Sequence, residues 1–358
     1  MRHRELILKM CAGLILVLLI NFGIRRTFDP SWYFGNETLG HKMQLYLPVQ
    51  DSFNTLFVGS STIFYNLDPL YFDSLMPREW NIRSFNLGGG GSLPPETYRF
   101  VKELITRNPG KVKNIILELR DVGIFSENHR NTLRKRYWLT PAWYTFMLRA
   151  QWHSELPADL RIRTSLFTTE SFLERSLNLG YFNDLYALDP MDDKVSGDRL
   201  QDIVRARRNG MLPVSAEREH ERGALFYQDT SRLLLIANAC KSELSLENPP
   251  RPNPIHMKAL SGLIEECRKH GIHLVFLLHP KMEKVQVSET LALTRALPEN
   301  HLINLSDPDS FPELYLAENS LNYNHFNRKG TRVLTEQAAK GFYKVHTAYL
   351  NTAVFTNR

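Results

Sequence analysis

The sequence predicts an α/β protein: a parallel sheet of about five strands wound by helices on both faces, with a helical insertion and an N-terminal membrane-spanning helix. Three observations carry that expectation. Short, continuously apolar runs alternate with stretches whose apolar residues recur at helical spacing, the pattern of buried strands joined by crossover helices. Each run hands over to glycine or polar residues at its carboxyl end. Only the first segment of the chain is apolar enough to enter a bilayer.

Composition sets the outer limits. A chain of 358 residues, 43% hydrophobic and 23% charged, can bury a full core and reads as globular. Lys and Arg outnumber Asp and Glu by 44 to 38, a net +6. That excess suits contact with acidic glycans or lipid headgroups. No basic motif interleaved with aromatics accompanies it, so nucleic acid is not an expected partner. Cys11 lies in the N-terminal apolar run and Cys267 on the apolar face of a helix, and no disulfide is expected between Cys267 and Cys240.

Residues 1–26 read as a membrane anchor. Arg2, Arg4 and Lys9 precede an apolar run from Met10 to Ile24, and Leu6-Ile7-Leu8 lengthens it if Lys9 snorkels. No small-x-small cleavage site follows. A retained single-pass helix in the cytoplasmic membrane is therefore expected, with the short basic tail in the cytosol and the bulk of the chain extracytoplasmic, in the periplasm. Residues 27–53 read as an aromatic and polar connector containing Trp32, Tyr33 and Phe34.

The α/β domain is expected over 54–350, with strand one over 54–58. Strand two falls within 80–87 and ends in Asn86-Leu87-Gly88-Gly89-Gly90-Gly91-Ser92. Pro94-Pro95 opens a helix with Tyr98, Val101 and Ile105 on one face. Strand three covers 114–119, with Arg120-Asp121 at its exit. From about 122 to 250 aromatic and basic residues crowd together without a clear strand, which reads as the helical insertion. Its Arg134-Lys135-Arg136 run is expected on a solvated face, or against headgroups or an acidic polymer. Alternation then resumes. A helix over 256–270 carries Leu260, Leu263, Ile264 and Cys267 at i, i+3, i+4 and i+7. Strands over 272–278 and 302–305 follow, and a last helix points Leu334, Ala338, Phe342 and Val345 inward.

Sites in parallel sheets of this kind lie beyond the carboxyl ends of the strands. There the chain places Gly59-Ser60-Ser61, the glycine run, Asp121, His279 and the loop from Asn322 to Gly330. Acyl transfer through serine needs an exposed hydroxyl, an imidazole to take its proton, and N–H donors for the developing oxyanion. Ser61 at a strand-to-helix turn supplies a hydroxyl and an amide, the glycines admit a backbone N–H close to substrate, and His325 supplies a base. The competing local readings are plain: Ser60, Ser61 and Thr62 as helix caps, the glycines as a turn, His325 and His279 as structural loop histidines. The 12 histidines show no metal-ligand spacing, and no Gly-Lys-Ser/Thr follows the glycines. Neither metal nor cofactor is expected.

These segments together resemble the SGNH (GDSL-type) hydrolase superfamily. Its first block, Gly-Asp-Ser, is met by Gly59-Ser60-Ser61, with serine in the aspartate position; that form is similar to the envelope-associated branch of alginate acetylation and teichoic-acid D-alanylation. Its second block, Asn-x-Gly-x-x-Gly, is met by Asn86, Gly88 and Gly91. Its last, Asp-x-x-His-x-Asn-x-x-Gly, is met at His325, Asn327 and Gly330, with Asn322 in place of the aspartate. The resemblance implies Ser61 as nucleophile, His325 as proton shuttle, Asn322 as its orienting group, and Ser61 and Gly91 amides around the oxyanion. Asn86, Gly88 and Ser60 would line the oxyanion and substrate site. The third-block asparagine has no counterpart at Glu118-Leu119-Arg120-Asp121, and Asp121, Asp307 or Asp309 would have to supply any acid. The implied activity is an extracytoplasmic esterase or O-acyltransferase acting on an acylated envelope glycan or glycolipid, with a membrane-bound O-acyltransferase as a further partner. The alternative is a weak or inactive accessory protein that binds glycan or such an acyltransferase.

Overall fold

Strand β1 (Thr55–Gly59) lies within the sheet, with β2 (Ser84–Gly88) on one side and β3 (Asn114–Glu118) on the other. Strands β4 (His273–Leu278) and β5 (Leu302–Asn304) continue from β3, giving an all-parallel sheet in the order β2-β1-β3-β4-β5. The chain leaves β1 in one direction and returns on its other side at β3, so a crevice opens beyond the carboxyl ends of these two strands. The computed structural model describes residues 2–27, 36–107, 110–121, 134, 138–177, 201–216, 219–220, 226–282 and 284–356.

Helices follow in the order α1 (Arg2–Thr27), α2 (Glu37–Tyr46), α3 (Ser61–Asn66), α4 (Pro69–Ser74), α5 (Glu96–Arg107) and α6 (Pro141–Trp152). They continue with α7 (Ala158–Leu177), α8 (Ser231–Leu244), α9 (Pro254–Lys269), α10 (Lys284–Ala296) and α11 (Arg328–Thr356). Strand side chains alternate between two apolar cores. Leu56, Val58, Ile115, Leu117, Leu274 and Phe276 pack with Met43 of α2, Tyr98, Val101 and Ile105 of α5, and Leu260, Leu263 and Cys267 of α9. Phe57, Ile116, Val275 and Leu277 pack with Ile63 of α3, Phe72 of α4, and Leu334, Ala338, Phe342 and Val345 of α11. Each such large apolar side chain contributes roughly 1.5–3 kcal/mol relative to exposure, which is why the strands are apolar on both faces.

Two elements differ from the sequence expectation. Residues 36–46, assigned to the connector, form α2, which buries Leu39, Met43 and Tyr46 against β2. Asn36 caps it, its Oδ1 accepting the Leu39 N–H. Trp32, Tyr33 and Phe34 lie outside the described residues. Strand five ends at Asn304, one residue short of the expectation; the Leu305 N–H still reaches the Leu278 carbonyl at 3.2 Å, and beyond it the Ser306 N–H and hydroxyl turn onto Asn304 Oδ1 instead. The described parts of the 122–250 insertion contain helices joined by turns and no strand: α6 and α7 pack through stacked Tyr144 and Phe172, and Gln151 donates to Thr168 at 2.9 Å. Residues 122–133, 135–137, 178–200, 217–218 and 221–225 lie outside the described residues.

Helix α1 contains a 21-residue apolar segment, His3–Gly23, with mean hydropathy 2.3. Only 6% of its most apolar stretch is buried. At 1.5 Å per residue a helix of this length rises about 30 Å, enough to cross a hydrocarbon core.

Candidate active site

The turn from β1 into α3 divides its two serines. Ser60 is the N-cap: its Oγ accepts the Thr62 N–H at 3.2 Å, and its side chain is buried. Ser61, the first helical residue, is partly exposed on the rim. Capping and presentation of a hydroxyl are thus done by neighbouring residues.

Beneath the turn lies Glu118, the last residue of β3. It accepts the Ser60 N–H at 2.6 Å, the Thr62 hydroxyl, and the Arg120 Nε at 2.9 Å. Burial alone would push this carboxyl up; Arg120, the Thr62 hydroxyl, His279 and the Ser60 N–H outweigh it and hold the carboxyl down at about 2. A Cβ on Gly59 would stand 2.6 Å from the Glu118 Cβ, so only glycine lets the acid approach the turn this closely.

The partner imidazole arrives from 264 positions further along the chain. His325 Nε2 is 2.8 Å from Ser61 Oγ. Behind the ring, Asn322 Oδ1 accepts the main-chain N–H of Asn324 at 2.9 Å and of His325 at 2.8 Å. Two N–H donors fix that atom as oxygen, so Nδ1, 3.1 Å away, carries the ring proton. Nε2 therefore presents its lone pair to Ser61. The amide selects the tautomer a general base needs, although it adds no negative charge to stabilise an imidazolium.

The His325 loop is tied down on several sides. Phe326 is buried and donates its N–H to Asn66 at the end of α3, so one short helix holds both members of the pair. The Tyr65 ring meets the imidazole edge-on at 5.9 Å. Lys281, fully buried beyond β4, donates to Ser320 Oγ at 2.6 Å, reaches the Asn322 and His325 carbonyls at 3.5 and 3.4 Å, and lies 4.0 Å over the Phe326 ring. Burial pushes its ammonium well below the usual lysine range. His279 is also buried, and burial, with Arg120 next, pushes it down to about 3. Its Nδ1 accepts the Lys281 N–H at 3.2 Å.

The glycine run forms the opposite wall. Gly91 has φ +64°, a left-handed turn residue. Asn36 and Arg134 donate to the Gly90 carbonyl at 2.7 and 2.8 Å. Arg134 also binds Glu96 through two nitrogens, at 3.2 and 2.7 Å. Arg134 is thus a strut inside the fold rather than a surface contact, because the buried Glu96 carboxylate requires a cation. Lys135 and Arg136 lie outside the described residues.

Three residues expected to line the oxyanion and substrate site stand elsewhere. Asn86 is fully buried: its amide donates to the Ile63 and Leu67 carbonyls at 2.7 and 2.9 Å, and its Oδ1 accepts from Lys42 at 3.2 Å and Gly88 N–H at 2.9 Å. With its donors and acceptor engaged inside, it clamps α3 to β2 and has nothing left for substrate. Gly88 gives its N–H to Asn86 and its carbonyl to Lys42. The Ser60 amide is taken by Glu118. Asp121 exerts its charge on Tyr98 and Glu289, while the Nδ1 of His325 faces Asn322.

Four buried braces were not foreseen as such: Glu118 and Arg134, which the sequence showed only as part of other segments, and Lys42 and Lys281, which it did not single out. One left a readable trace. Lys42 shares a helix face with Leu39, Met43 and Tyr46, at i, i+3, i+4 and i+7, so a lysine on an apolar stripe was the signal. It lies 3.8 Å over the Phe64 ring and donates to the Gly88 carbonyl at 2.5 Å. Lys281 follows a strand in a loop without periodicity and left no trace.

No protein-family model matches the chain, and no curated protein matches it significantly.

Proposed function

We propose that this chain is a membrane-anchored, extracytoplasmic SGNH-like esterase or O-acyltransferase that uses a Ser61–His325 pair on an acyl ester of an envelope polysaccharide or glycoconjugate. The observation that carries this reading is the 2.8 Å contact between Ser61 Oγ and His325 Nε2 at the sheet's switch point. Two apolar cores on opposite faces of a 2-1-3-4-5 parallel sheet support the three-layer, doubly wound form of that family.

Ser61 Oγ gives its proton to Nε2 as it attacks the acyl carbonyl, and the Ser61 and Gly91 amides receive the oxyanion. Collapse of that intermediate expels the alcohol, which takes the proton back from Nε2. Water or a sugar hydroxyl then accepts the acyl group by the reverse steps. The resemblance to acetylation-associated proteins favours a sugar hydroxyl.

The test is covalent labelling of the full chain in detergent with a fluorophosphonate, beside hydrolysis of p-nitrophenyl acetate. The enzyme reading expects a label on Ser61 and hydrolysis that disappears in Ser61→Ala. Silence in both assays from folded protein refutes it and leaves the accessory reading, which the neutral Asn322 behind the imidazole favours. Orientation is tested with a phosphatase fused at the C-terminus, active only outside the cytosol.

A further inference from the structure

A second concave site lies between α4, the start of α11 and residues 208–214. It encloses about 330 Å³ and is lined by Asp68, Tyr71, Arg208, Val214, Arg328 and Arg332 among others. Three guanidiniums face a single carboxylate there. Asp68 is already engaged: its Oδ1 caps α4 at Leu70 N (3.1 Å), and its Oδ2 pairs with Arg208 at 2.9 Å. Among the described residues the guanidinium of Arg328 spends only its Nε, on the Val214 carbonyl at 3.0 Å. Glu219 approaches nearby but accepts the Arg328 main-chain N–H, at 2.6 Å. Arg332 lies 4.5 Å over the Tyr71 ring, which orients its planar fork. Among the described residues no carboxylate pairs with the guanidinium of Arg328 or Arg332.

We propose that this cavity binds a phosphate group, with Arg328 and Arg332 as its principal donors. Guanidiniums match phosphate oxygens in pairs, and two of these forks line one cavity with no described residue taking their terminal N–H groups. The excess of two positive charges in the lining matches a phosphate monoester dianion. The Tyr71 platform and the Val214 carbonyl fix the two forks before any ligand arrives, which lowers the ordering cost of binding. The site is separate from the hydroxyl–imidazole pair but linked to it: Val214 belongs to the same apolar cluster as Tyr65, whose ring meets His325.

The experiment is calorimetric titration of the full chain in detergent with inorganic phosphate, at constant ionic strength held by chloride, with acetate as the comparison anion. Saturable phosphate binding is expected, about tenfold weaker or worse in Arg332→Gln and in Arg328→Gln, and intermediate in Arg332→Lys, which keeps the charge but not the fork. Unfolding midpoints without phosphate identify any variant that has lost its fold. Lys340→Gln, which removes a paired exposed cation from the same helix, should bind as wild type does. Ser61→Ala should also bind phosphate unchanged, so failure of the serine mechanism does not touch this result. Non-saturable binding, equal binding in Arg332→Gln, acetate binding as tight as phosphate, or loss in Ser61→Ala would each overturn the assignment.

Discussion

Behind Ser61 stands a buried, ionised carboxylate; behind His325 stands a neutral amide. Glu118 receives two N–H groups and a hydroxyl under the β1–α3 turn, and Arg120 balances its charge. Asn322 receives three N–H groups and brings no charge at all. Glu118 therefore braces the turn that presents the Ser61 hydroxyl, while the amide oxygen of Asn322 orients the His325 ring through a hydrogen bond. A carboxylate held down at about 2 can anchor main-chain donors firmly, but its charge is committed to Arg120 and the turn. The contrast gives the protein a braced serine turn and a histidine whose Nδ1 faces a neutral amide oxygen rather than a carboxylate.

The comparison can be broken most completely at the hydroxyl. Ser61→Ala should reduce ester turnover by about a thousandfold or more, to background, with no change in fold by circular dichroism; retained turnover would show that the rim chemistry lies elsewhere. Next in size is Glu118→Gln. It leaves Arg120 without a counter-charge and turns an amide N–H₂ toward existing donors, so a loss of about 3 kcal/mol is expected by thermal unfolding. Unchanged stability would mean the carboxylate is no brace.

Asn322→Asp sharpens the contrast from the other side. It places a negative charge where Oδ1 now lies, 3.1 Å from Nδ1. Turnover should rise about tenfold, and the acid limb of the kcat/KM profile should move upward by about one pH unit. Asn322→Leu removes the tautomer selection and should lower turnover. A rise in that variant would dismiss the role given to Oδ1.

The smallest expected effect is the pH dependence of stability near neutrality. Burial pushes His256, His273 and His279 down to about 3, so the unfolded chain takes up protons on them first and stability falls below pH 6.5. Burial pushes Asp73 and Glu289 up to about 6 and 7, so the folded chain takes up protons there and opposes that loss. Below about pH 4.5 this opposition fades and Glu118 adds its own loss, since the unfolded acid protonates long before the folded one. The unfolding free energy should therefore decline gently from pH 7 to 5 and roughly twice as steeply near pH 4. A uniform slope through this range would contradict the assigned burial of these groups.

Legibility differed by kind of residue. Strand positions, the α5, α9 and α11 core faces and the Gly59-Ser60-Ser61 turn could be read directly, since apolar periodicity and glycine act over a few neighbouring residues. Asn86 and Ser60, expected at the substrate site, spend their polar groups inside the fold, and nothing local in the sequence displays those partners. Asn86 stands beside Lys42 and α3, and its amide satisfies main-chain carbonyls that a motif does not display. Arg134 looked like part of a surface charge run because nothing near it in sequence announces Glu96.

What the sequence determined by itself was the alternation of strands and helices, the apolar N-terminal segment, and the order in which a serine, a glycine turn and a histidine reach one rim. Only the tertiary structure decided that Ser61 and His325 touch, that Glu118 serves the serine rather than the histidine, and that Lys42 and Lys281 are buried. The reason is range. Helix periodicity, capping and turn chemistry are set by residues within about one turn of each other, whereas a contact across 264 positions depends on the strand order that brings β1 and the segment after β5 to the same edge.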